Sequence, residues 1–192
     1  MSRFNLRSTS PADSLHDGLQ ATSAPLPAFR LSGLVAIGLL AVTAAASAVA
    51  GTVSVRESVD LAAPPAKAWD TIKDFMGWQK WHPAFAGTEL VKGEGNTKGS
   101  VRLLTAKDGA QFTEELVSHD AATRTYQYRI IDSPAPVTGY LSTLQVKAHG
   151  GGSSVVWSST FTVKPGTTDE DAKKAIAGIY RLGLDHLAAE LK

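Results

Sequence analysis

Apolar and polar positions alternate cleanly from Thr52 to Leu61. Val53, Val55, Val59 and Leu61 share one face; Ser54, Arg56, Ser58 and Asp60 share the other. A period of two predicts a half-buried strand. Ala63-Pro64-Pro65 stops it and opens a helix, since proline suits the first helical turn. Ala68, Trp69, Ile72 and Phe75 recur at helical spacing, Gly77 breaks the pattern, and Trp78 to His82 predicts a short second helix ending at Pro83. Short strands follow: Ser100–Ala106, Ala110–Ser118, Thr125–Ile131, Tyr140–Lys147 and Val155–Val163. Turn signals separate them at Gly93–Asn96, Asp108-Gly109, Asp120–Ala122, Pro134–Pro136 and Gly150–Gly152. Asp-Gly is the strongest of these hairpin signals. Thr168 with Asp171 three residues on resembles a capping box, and three acids in the first turn suit a helix N-terminus. The long helix that follows is expected to bury Ala172, Ala175, Ile176, Ile179, Leu182, His186 and Leu187. Strand, two short helices, about six strands and a long final helix describe an antiparallel meander of α+β type, not βαβ units. The last helix is the only element long enough to cover a curved sheet.

The first 50 residues follow none of these periods. Residues 2–27 are polar and rich in Ser, Thr, Ala and Pro; residues 31–50 carry no charge. Arg3, Arg7 and Arg30 precede a short apolar core, Leu34–Val42, and two overlapping small-residue patterns, Ala46-Ser47-Ala48 and Ala48-Val49-Ala50, come after it. This order describes a secretory signal peptide with an unusually long leader that carries Asp13 and Asp17. The competing reading is an uncleaved anchor, since about 20 uncharged residues can span a bilayer. Residues 51–192 are therefore expected to be periplasmic or secreted, or held at the membrane facing the periplasm.

Composition narrows the chemistry. The chain has 192 residues, no cysteine and a net charge of +1. Three of its 19 basic and two of its 18 acidic residues precede Gly51, leaving sixteen of each in the domain. A neutral domain does not suit the phosphate backbone, so no nucleic-acid partner is expected. Absent cysteine excludes disulfides, thiol nucleophiles and cysteine-ligated metals. The histidines have no metal-ligand spacing, and Gly93-x-Gly95-x-x-x-Gly99 is not a dinucleotide fingerprint. No cofactor or metal is expected.

The polar residues that share a face with apolar ones are the candidates for chemistry. Glu57 is in phase with Val55 and Val59, and Glu114 with Phe112 and Leu116. On regular strands both carboxylates would enter apolar space, where each needs a partner or a raised pKa. A bulge or strand end that turns the side chain outward is the plain alternative. Tyr126 and Tyr128 share a face, Tyr140 lies in phase with Ser142 and Leu144, and Trp157 with Phe161; such aromatic rows are core, and in a hollow fold they are also cavity wall. His186 falls on the predicted helix stripe, as a core histidine or a hydrogen-bonding partner for a ligand or carboxylate. His82 ends the short helix, near the expected cavity mouth.

Several segments together resemble a known superfamily. They are Ala63-Pro64-Pro65 with Ala68-Trp69, Asp74-Phe75 with Trp78 and Trp81-His82-Pro83-Ala84, Gly95 to Gly99 before Ser100-Val101-Arg102, Glu114 with Leu116 and Asp120, Tyr128 with Asp132-Ser133-Pro134, Trp157-Ser158 with Phe161, and Gly178-Ile179-Tyr180 with Gly183-Leu184. The chain is similar to the SRPBCC superfamily of START-like helix-grip proteins over essentially all of Val53–Leu191. The closer likeness is to polyketide cyclase/dehydrase family 2 and MxaD-like periplasmic proteins. The resemblance implies a curved sheet of about seven strands wrapped around the C-terminal helix, with an apolar cavity between them. It makes the chain an expected carrier or sensor of a small apolar or aromatic molecule, with Trp81, His82, Glu114, Tyr126, Tyr128, Tyr140, Trp157, Phe161, Ile179 and His186 as candidate ligand-binding residues. One alternative is a cyclase or dehydratase that pairs Glu114 with His186 or Glu57. The other is an accessory protein that docks a periplasmic partner enzyme through an apolar patch around Phe75, Trp78 and Trp81.

Overall fold

Nine elements and one tight turn follow in chain order in the computed structural model, which describes residues 51–192. The predicted leader, with its signal or anchor, lies outside those residues. The elements are β1 (Val53–Leu61), α1 (Pro65–Ile72), a single 3₁₀ turn (Trp78–Lys80), β2 (Phe85–Lys92), β3 (Val101–Ala106), β4 (Gln111–Asp120), β5 (Thr125–Asp132), β6 (Val137–His149), β7 (Gly152–Val163) and α2 (Asp169–Glu190). The seven strands form one antiparallel sheet in the order β1-β7-β6-β5-β4-β3-β2. The expected helix-grip architecture is the observed one. The second short helix is reduced to the 3₁₀ turn, because Pro83 leaves no room for a full α-turn.

Strand β2 has no expected counterpart, and its burial shows why. Phe85 is buried, but Leu90 and Val91 are exposed, and the pairing with β3 shifts register twice. An edge strand with two irregularities shows no period of two. The stripe of α2 also departs from expectation. Ala172, Ile176, Tyr180, Gly183, Leu184 and Leu187 are buried, whereas Ile179 and Leu182 are 37% and 47% exposed and Ala175 faces outward. The helix is rotated so that a bulky Tyr180 and a side-chain-free Gly183 meet the interior. The cap on α2 is as expected: Thr168 Oγ1 accepts from the Asp171 amide at 3.1 Å.

The core is unusually aromatic. Trp78 sits with the rings of Trp81, His82, Phe85, Tyr128 and Trp157 at centroid distances of 5.1–5.9 Å. Phe75, Trp78 and Trp81 are 0%, 1% and 2% exposed, so the patch expected of a docking protein does not form there. The segment turns inward because α1 ends early and the 3₁₀ turn folds over the open end of the sheet. Its packing against α2 depends on Gly183. A Cβ there would lie 2.5 Å from His82 Cδ2, 2.8 Å from His82 Nε2 and 3.0 Å from Trp81 Cζ3.

That approach sets up a paired stability measurement on one helix. Gly183→Ala should destabilise the domain by about 1–3 kcal/mol through overpacking. Gly178→Ala, where an added Cβ meets nothing within 4 Å, should stabilise it by about 0.5–1 kcal/mol through helix propensity. Urea unfolding of the two variants tests the opposite signs.

Candidate functional site

The hairpin between β3 and β4 assembles the central pair of the site. Gly109 at φ +89° closes a three-residue loop, Lys107–Gly109, in which the Ala106 amide donates to Ala110 O at 2.8 Å. This loop sets Arg102 directly opposite Glu114. A two-residue Asp108-Gly109 turn would instead bring Glu115, on the other face, to Arg102. On the far side of β4 the ladder slips twice; Val117 of β4 is the extra residue at one shift, and beside Glu114 the extra residue is Ile131 of β5, which is exposed. The bulge therefore turns Ile131 out and leaves Glu114 pointing inward.

Arg102 is completely buried and Glu114 is 4% exposed. Arg102 Nε and Nη2 both donate to Glu114 Oε2, at 2.8 and 2.5 Å, and Nη1 donates to the Phe75 carbonyl. The guanidinium carbon lies 3.9 Å from the Phe75 ring centroid and 4.1 Å from that of Trp78. The cation thus has a counterion, an acceptor and two aromatic faces. Burial pushes the Glu114 carboxyl above the usual carboxylate range, and the guanidinium opposes that push. A proton on Glu114 would leave an always-charged arginine buried without a counterion, so the site holds the carboxylate at neutral pH.

Glu114 forms part of the wall of a cavity of about 310 Å³ between the sheet and α2. Phe85, Trp78, Phe112, Ile130, Trp157 and Ile176 supply most of its apolar wall, and Tyr128, Tyr140 and Tyr180 also line it. Ile179, Lys107 and Asp108 stand where it opens to solvent. The phenols form a chain. Tyr128 and Tyr140 oxygens are 3.4 Å apart, Tyr140 bonds Tyr180, and Tyr180 reaches Ser142 Oγ at 3.3 Å. Ser142 donates to the Ser158 carbonyl at 3.0 Å, and Trp157 Nε1 donates to Tyr128 and Ser142 at 3.1 and 3.0 Å. Burial raises all three phenols well above their usual pKa, so they stay protonated.

The candidate ligand-binding residues divide into three groups. Glu114, Tyr128, Tyr140, Trp157 and Ile179 line the cavity. Tyr126 lies behind it, accepting from Trp78 Nε1 at 3.0 Å, and Phe161 stacks behind Tyr140. Trp81, His82 and His186 border a separate depression on the other side of the Trp segment. Glu57 stays out of the cavity: β1 is an edge strand, and the carboxylate sits at the solvent margin 3.7 Å from Arg181 of α2. His186 is half-exposed and pairs with Glu190 at 3.1 Å, because the rotation of α2 carries it off the buried stripe. Neither expected partner of Glu114 in an acid–base pair reaches it.

Arg102, Trp78 and Tyr180 carry the site although none of them is among the candidate ligand-binding residues. Arg102 was legible as the residue in phase with buried Leu104, Tyr180 as the residue one turn on from Ile176. His82 has a structural task. Its Nε2 donates to the Ile179 carbonyl at 3.0 Å and its Nδ1 accepts from the Ala84 amide at 3.2 Å, which fixes one neutral tautomer. Burial lowers its pKa from 6.5 to about 4.

Comparison with known proteins agrees with this geometry. Residues 52–192 match the family model described as polyketide cyclase / dehydrase and lipid transport. The solved structure of the protein XoxI from Bacillus cereus is 34% identical, with a TM-score of 0.67 over 72% of this chain and 95% of that one. A protein from Thermobifida fusca is 31% identical, with a TM-score of 0.64 over 70% of this chain and 90% of that one. Ara h 8.0201, at 23% identity and a TM-score of 0.61 over 73% of this chain and 98% of that one, shares the fold.

Two measurements test the buried groups. Between pH 6.5 and about 4 the unfolded chain takes up a proton that folded His82 refuses. Stability present above pH 6.5 should therefore fall by about 3 kcal/mol as the pH drops through that window. His82→Gln should flatten the slope in urea unfolding at pH 7.5, 5.5 and 4. For the ion pair, Arg102→Met alone should cost about 3–5 kcal/mol, and adding Glu114→Leu should recover most of it, since the single change strands a buried charge.

Proposed function

The chain belongs to the polyketide cyclase / dehydrase and lipid transport family, and on that footing we propose that it is an exported carrier or sensor for a small apolar or aromatic molecule. The observation that carries this reading is the cavity of about 310 Å³, walled by aromatic and aliphatic side chains, with one buried carboxylate and three phenols as its buried polar features and Lys107 and Asp108 at its opening. Its size lies at the small end of ligand pockets, which suits a molecule of two or three rings. Affinity would come from burying ligand surface, at about 25 cal/mol per Å² before the costs of association. A pocket whose polar groups bond to one another supports a binding site more than a reaction centre. Glu114 is held by Arg102, and Glu57, His82 and His186 lie outside the cavity. Export rests on the leader: the charged start, the short apolar core and the Ala-x-Ala patterns favour delivery across a membrane.

Titration of the purified domain with the neutral fluorophore N-phenyl-1-naphthylamine tests the cavity. One saturable site is expected, and Ala135→Trp at the rim should abolish it with little change in melting temperature. Loss of binding in neither protein, or no binding at all, would count against a carrier. Intact-mass measurement of the protein from its own cell envelope tests export. The expected mature chain begins at Val49 or Gly51; an uncleaved chain in the membrane fraction would establish the anchor instead.

A further inference from the structure

Resting on the carrier reading, we propose that the cavity selects ligands bearing a neutral hydrogen-bond donor, an alcohol or phenol on an apolar body, and disfavours ligands that carry only acceptors. Every side-chain donor of the buried residues that line the cavity, and of Arg102 behind Glu114, is already committed; the two buried donors nearby without a partner, Trp81 Nε1 and Ser159 Oγ, belong to residues outside the lining. Arg102 uses Nε and Nη2 on Glu114 and Nη1 on the Phe75 carbonyl. Trp78 Nε1 is spent on Tyr126, and Trp157 Nε1 on Tyr128 and Ser142.

The phenols close the count. Ser142 gives its proton to the Ser158 carbonyl, so it accepts from Tyr180. Tyr180 then accepts from Tyr140, and Tyr140 from Tyr128. Run in this direction, the chain satisfies all three hydroxyl protons. Run in the opposite direction, it leaves the second lone pair of Ser142 empty and one bond unmade.

Acceptors, by contrast, remain. Both bonds from Arg102 land on Glu114 Oε2, and among the described residues Oε1 has no donor. Glu114 is itself a wall residue of the cavity. A hydroxyl brought to this carboxylate gains a charge-assisted bond, whereas an ether or carbonyl gains none and a carboxylate is repelled. The one free cation among the wall residues is Lys107, exposed at the opening and able to meet only a ligand's outer end.

The test is calorimetric titration with three probes of one shape: 2-naphthol, 2-methoxynaphthalene and 2-naphthoate. The naphthol should bind at least about tenfold more tightly than the ether, although the ether is larger and more apolar, and the naphthoate should bind weakest. In the Arg102→Met/Glu114→Leu protein the order of naphthol and ether should reverse. An ether that matches the naphthol, a naphthoate that binds best, or no binding of naphthol would each overturn the proposal. If N-phenyl-1-naphthylamine still binds in those cases the carrier reading stands; if it fails as well, both fall together.

Discussion

A guanidinium with no exposed surface imposes more on this domain than any apolar contact does. Arginine cannot shed its charge, so it must find a counterion, acceptors and polarisable neighbours wherever it is buried. Arg102 finds Glu114 across the hairpin, the Phe75 carbonyl in the segment after the first helix, and the rings of Phe75 and Trp78. Each requirement fixes a piece of the fold. The β3–β4 register cannot slip by one residue without exchanging Glu114 for Glu115. Helix α1 must stop early enough to free the Phe75 carbonyl, and the 3₁₀ turn must lay Trp78 over the cation. Such a pair does not exist for stability's sake, because apolar residues of similar volume usually serve a core as well or better. Its glutamate stands in the wall of the apolar cavity, where the carrier proposal gives it a use that stability does not.

The parts of this fold that were legible in the sequence are those whose determinants are local. The alternation of β1, the proline opening of α1 and the Thr168 cap each involve residues a few positions apart. The placement of Asp108-Gly109 was legible for the same reason. What escaped depends on partners far away along the chain. Strand β2 earns its pairing from β3, not from its own pattern. The rotation of α2 is set by the approach of Trp81 and His82 to Gly183, roughly a hundred residues apart in sequence.

The same division runs through the site. Glu114 was visible as an acid in phase with Phe112 and Leu116, and the need for a partner followed from physics alone. Its partner was not visible, because an Asp-Gly turn can close with two residues or three, and only the longer loop brings Arg102 opposite. Glu57 satisfied the same phase rule, yet β1 lies at the sheet edge, where one flank is solvent and Arg181 is within reach. Phase tells which face a residue occupies; position in the sheet tells whether that face is dry.

The cavity walls are held by two different kinds of contact, and their difference bears on how a ligand is admitted. On one side, neutral His82 bridges the Ile179 carbonyl of α2 and the Ala84 amide ahead of β2. On the other, Tyr180 of α2 joins Tyr140 and Ser142 of β6. Helix α2 is thus tied to both flanks, so the cavity is held open by the fold itself, and on the carrier proposal little ordering would accompany binding. Entry then falls to the side where Lys107 and Asp108 of the hairpin face Ile179, since nothing comparable ties the hairpin tip to the helix among the described residues. On the carrier proposal, a pocket of this size whose buried donors are committed would gain affinity from shape and apolar area, and would leave discrimination to the carboxylate oxygen that the arginine does not use.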